Sequence, residues 1–166
     1  MNFVNNVILT FIAKKLNNMK NYYDFLKNEL NNFQGDFDKF IYNLPEFFNL
    51  LCDLLNEDLE REDRKLINSA LAYFVVPNDV ISEEIYGPLG YVDDIFACVV
   101  VLLEIKKKYG IELLEKLWTG EESLDYVLEY SFRKSHEILK EQGLVEAVLN
   151  YAALDSSELK DHTKIL

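Results

Sequence analysis

The run IFACVVVLL, residues 95–103, is the feature that most limits what this chain can fold into. Asp93 and Asp94 precede it, and Glu104, Lys106, Lys107 and Lys108 follow it. Wound as a helix, the run is apolar on every side, and a helix without a polar face is normally enclosed by others. One helix over about 93–109 is therefore expected at the centre of the molecule. The valine cluster makes a buried strand over 95–103 the rival reading. Charged flanks that continue the segment at helical spacing favour the helix. With nine apolar residues before Glu104, the run falls well short of the roughly 20 needed to cross a bilayer.

The remaining segments read as helices able to surround it. Phe3, Val7, Phe11, Leu16, Met19, Tyr23, Leu26 and Leu30 recur near helical period over residues 3–31, and Gly35 interrupts them. A short helix is expected over 36–43. Pro45 then suits the first turn of another reaching about Asn56, with Asn43 as its cap. EDLEREDRK, residues 57–65, reads as a solvated turn or helix start, and Leu66 to Phe74 as a helix ending before Pro77. Gly110 follows the central helix as its terminator, with three lysines in the last turn where cations suit the helix dipole. A short helix over 111–118 is expected next. Another should start at Thr119 or Gly120, with Glu121 and Glu122 in its first turn, and reach Gln142. Gly143 breaks it, a final helix covers about 144–154, and the last dozen residues should fray. Only three prolines and six glycines punctuate 166 residues. The fold class is all-α: a compact bundle of six to eight helices forming one domain over 1–166, with 1–56 as an N-terminal helical extension.

The formal charge of −12 argues against a nucleic-acid partner, which calls for a basic face. Cys52 and Cys98, the only cysteines, sit in apolar helical runs. A disulfide between them is formally open, and two buried thiols in a reducing compartment is the simpler reading. The start, MNFVNNVILTFIAKK, lacks a positive charge ahead of its apolar patch, so no leader is expected and the location should be cytoplasmic. His136 has Arg133, not glutamate, three residues before it, which removes the Glu-x-x-His pattern of dinuclear bundles. Phosphate-loop, dinucleotide and nucleophile-elbow motifs are also missing from the sequence.

PNDVISEEIYGPLGYVDD, residues 77–94, breaks the helical pattern. Pro77 and Gly90 supply turn geometry. Asp79 can cap the turn beginning at Val80, and Asp93 or Asp94 can accept from the backbone amides that open the central helix. Alternatively Asp79, Asp93 and Asp94, with Glu83, converge on one pocket. Such an oxygen-rich set suits Mg²⁺ or another hard divalent cation. Without that convergence no cofactor is expected.

Residues 70–102 resemble the YkvA-like domain, a small helical family of unknown function in bacteria and some archaea. Its pattern is an Ala-Leu-x-Tyr helix end, then Pro-x-Asp-x-Ile-Pro-Asp, a glycine turn, and Gly-x-x-Asp-Asp leading into an apolar helix. Ala70, Leu71 and Tyr73 match the first part, Pro77, Asp79 and Ile81 the second, and Gly90, Asp93 and Asp94 the last. Ser82 and Glu83 stand where the family has its second proline and acid. The resemblance implies a helical core over about 66–109 and brings no catalytic residues with it. The expected function is a non-enzymatic interaction or regulatory module with a protein partner or a second copy of itself. The alternative is a metal-dependent enzyme, or a metal-responsive protein, using the 77–94 carboxylates.

Overall fold

The computed structural model describes residues 22–32, 38–75, 90–152 and 154. Residues 22–32 form α1, and a 3-10 turn over Lys39–Asn43 leads directly into α2, Leu44–Leu54. They are followed by α3 (Arg61–Val75), α4 (Val92–Tyr109), α5 (Ile111–Leu117), α6 (Leu124–Glu141) and α7 (Val145–Tyr151). Among the described residues there is no strand, so 95–103 is helix and the all-α reading holds.

In α4 every residue from Val92 through Leu103 is buried, as is Ile105. It packs against α2, α3, α5, α6 and α7, most extensively against α6. Burial on all sides follows from the composition: each large apolar side chain withdrawn from water contributes about 1.5–3 kcal/mol, and this helix offers them in all directions. Its last turn carries Lys106, Lys107 and Lys108, and Gly110 ends it at φ +88°, a conformation that side chains with a Cβ resist.

The neighbours of α4 are one-sided. α6 turns Leu124, Val127, Leu128, Ser131, Phe132, Ser135, His136 and Leu139 inward, a repeat of three and four residues, and leaves the opposite face wet. In α2, Pro45 lies in the first turn, and Phe47, Leu50, Leu51 and Leu54 join the α4 core. Asn43 occupies the position before α2, but its side chain makes no capping bond. Leu26 and Leu30 of α1 are covered, and the Tyr22 hydroxyl donates to the Phe74 carbonyl at 2.7 Å.

Two local expectations need correction. Residues 119–122 are not the first turn of α6, which begins at Leu124. The Trp118 indole donates to the Glu122 carbonyl at 2.9 Å, and the Thr119 hydroxyl donates to Glu46 on α2, so the segment closes into a turn. Residues 57–65 do contain a helix start, at Arg61, but the segment is not simply solvated. Leu59 and Asp63 are buried, and the Arg64 guanidinium spreads over the carbonyls of Leu55, Glu57 and Leu59, taking up the acceptors left at the end of α2. The thiols of Cys52 and Cys98 are not joined in a disulfide. The N-terminal part of the 3–31 helix and the C-terminal tail lie outside the described residues.

Candidate functional site

The motif-bearing end of α4 is built from its first turn. Tyr91 precedes the helix, and its side chain makes no capping bond there. Asp93 and Asp94 lie in the first turn, where a negative charge gains from the helix dipole and the unpaired backbone amides. Both are inside the protein, Asp93 at 0% exposure and Asp94 at 2%. Five elements pack around α4, and the core they form surrounds its first turn as well.

Burying a carboxylate is costly without partners. Asp93 Oδ2 accepts a 2.6 Å hydrogen bond from the hydroxyl of Tyr73, which is itself buried on α3. The Tyr73 ring stands edge-on to Tyr151 of α7 at 5.9 Å, which ties the far end of the chain to the same corner. One hydrogen bond thus joins the helix before the 77–94 connection to the helix after it. Tyr73 belongs to the Ala-Leu-x-Tyr pattern, but its pairing with an acid 20 residues later is visible only once α3 and α4 lie side by side.

Of the residues expected at a metal site, Asp93 and Asp94 are adjacent in this first turn. Asp79 and Glu83 lie outside the described residues, as does Pro77. Gly90 is buried beside Tyr91 at the entry to α4. Among the described residues no three His, Cys, Asp or Glu side chains are grouped so as to hold a metal ion. One turn along α4, burial pushes the Cys98 thiol well above its ordinary value, and the charges of Asp94 and Cys52 add to the effect. Cys98 is therefore a protonated core thiol, not a nucleophile.

At the opposite end of α4 a second polar cluster forms. Asp63 accepts from Lys108 Nζ at 2.7 Å and from the Tyr109 hydroxyl at 2.6 Å, and that hydroxyl accepts the Glu60 amide at 2.9 Å. Lys108 also pairs with Glu60 at 2.9 Å. The bonds to Asp63 and Glu60 raise the Lys108 pKa, and burial followed by the Asp63 bond raises that of Tyr109. The cluster fixes the start of α3 to the end of α4.

Comparison with known proteins covers the motif-bearing end of α4. The model of a protein family of unknown function, DUF1232, matches residues 63–100, from Asp63 through Tyr73 to Asp93, Asp94 and the middle of α4. An uncharacterised protein, ORF9, of Methanothermobacter thermautotrophicus is 34% identical over 131 residues, covering 78% of this chain and 88% of that one. This chain belongs to the DUF1232, or YkvA-like, family. Uncharacterized membrane protein YkvA of Bacillus subtilis (strain 168) is 36% identical over 73 residues, 42% of this chain and 68% of its own. No solved structure matches. In this YkvA-like protein no described helix is long and apolar enough to cross a membrane: α4 carries acids at its start and lysines at its end.

Proposed function

We propose that this YkvA-like chain is a non-enzymatic interaction or regulatory module of the cytoplasm, acting through a protein partner or a second copy of itself. The observation that carries this reading is the burial of the motif carboxylates, with Asp93 held by Tyr73. A general acid or an exchangeable ligand must reach its substrate, and a side chain at 0% exposure does not. In this reading the Tyr73–Asp93 bond fixes α3 to α4 on either side of the connection, and residues 77–89 are proposed as the segment that a partner recognises.

The metal-dependent reading draws on two adjacent carboxylates at one helix end. Thermal unfolding of chelator-treated protein, scanned against Mg²⁺, Ca²⁺ and Mn²⁺, separates the two. An ion that binds only the folded state must raise the midpoint. The expected result is a midpoint unmoved by all three ions. A rise with one ion that Asp94→Asn abolishes would replace the interaction module with a metal site. Light scattering over a range of protein concentrations then tells self-association, seen as a rising mass, from a heterologous partner, which leaves the chain monomeric.

A further inference from the structure

Away from the motif, α6 and the C-terminal end of α4 line an open groove of about 830 Å³ together with Gly110 and Ile111. This is within the range of roughly 300–1,000 Å³ typical of small-molecule sites. Leu103 and Phe132, nearly buried, form its floor. Tyr126 and Tyr130 form a wall, stacked at 5.7 Å with an interplanar angle of 19°, and Tyr126 is 57% exposed. The exposed Tyr126 stacked on the half-buried Tyr130 offers a flat aromatic surface, the type of surface that organic ligands use.

Charge narrows the class of ligand. The chain has 29 acids against 17 lysines and arginines, so carboxylate partners are plentiful. Lys27, Lys65, Lys106, Lys108, Lys116 and Lys134 all have one. Lys107 and Arg133, both on the groove, have no ion pair among the described residues. The Arg133 guanidinium lies 5.6 Å from the Tyr130 ring centroid, a contact that orients the group and leaves its N–H edge for an acceptor. Lys39, Arg61, Arg64 and Lys140 also lack an ion pair among the described residues but do not line this groove. Of the groove's two carboxylates, Glu129 is held by Lys106 at 3.3 Å, and Glu112, beside Gly110, has no ion pair among the described residues. Lys107 and Arg133 thus bring two cations without an ion pair among the described residues to one groove, where they favour an anionic group, and a second anion near Glu112 would be repelled. The net charge of −12 acts only weakly at this range, because salt screens beyond about 8 Å under physiological conditions.

We propose that this groove binds a small organic monoanion, with its carboxylate on Arg133 and Lys107 and its aromatic or aliphatic body against Tyr126 and Phe132. The proposal goes beyond the interaction role and does not depend on it. The probe is naphthalene-2-carboxylate, titrated into the full chain by calorimetry, with the tyrosine ring resonances followed by NMR. The expected result is saturable one-to-one binding that shifts Tyr126 and Tyr130. Arg133→Gln should weaken it about tenfold, as loss of a charge-assisted bond does, and Lys140→Gln on the same helix should leave it unchanged. The neutral amide of the same ring should bind at least about tenfold more weakly. Equal binding of acid and amide, no effect of Arg133→Gln, or no saturation at millimolar concentration overturns the proposal. So does a dimer that Arg133→Gln dissociates in a chain that takes up no anion, since a second copy would then be the occupant.

Discussion

His136 is a titratable ring inside an aromatic group: its centroid lies 5.7 Å from that of Phe132 and 6.1 Å from that of Phe96 on α4. Burial, followed by the charge of Lys140, lowers its pKa below the ordinary 6.5. The folded chain therefore holds fewer protons at this site than the unfolded chain when the pH lies between the two values. Its contribution to stability is complete above the unfolded value and is lost as the pH falls through the folded one. Urea unfolding midpoints should decline from about pH 7 to pH 5, and His136→Phe should decline less over the same window. A variant with the same pH slope as the parent would remove His136 from the explanation. Tyr73 works at the same scale, a single hydroxyl supporting a buried carboxylate, and its effect reaches further because it joins two helices.

Among the elements, α1 depends on contacts with distant parts of the chain. Glu46 on α2 accepts from the Tyr23 hydroxyl at 2.8 Å, pairs with Lys27 at 3.0 Å, and also accepts from Thr119 in the turn before α6. Burial works to raise the Glu46 pKa, but the bonds from Thr119, Tyr23 and Lys27 prevail and hold it below the ordinary carboxylate value. Glu46→Ala should cost about 1–3 kcal/mol, and hydrogen exchange should speed up in residues 22–32 more than in α4. Uniform acceleration through the molecule would mean that Glu46 supports the whole fold and not this junction. The same long-range bonds explain what the sequence concealed. The centre was legible because the apolar run of α4 leaves a helix no wet face, and α6 because its inward residues repeat at three and four. The start of α6 was misread because the bonds of Trp118 and Thr119, which decide it, are not local capping signals. Asp63 looked solvated because its partners lie 45 and 46 residues away.

For the molecule as a whole, the family match begins at Asp63 and contains both partners of the Tyr73–Asp93 bond, while Lys108 and Tyr109, which hold Asp63, lie beyond its end at residue 100. Asp93 and Asp94 stood out in the sequence as polar residues at the head of an apolar run. Their burial could not be read there, because it comes from five packed neighbours of α4. If the motif exists to hold the ends of the 77–94 connection, Tyr73 and Asp93 must act as a unit. A double-mutant cycle with Tyr73→Phe and Asp93→Asn, measured by denaturant unfolding, tests that directly. A coupling of about 1–3 kcal/mol is expected, as for a buried bond to a carboxylate. Effects that add to within about 0.5 kcal/mol would contradict it and leave the motif carboxylates without their anchoring role.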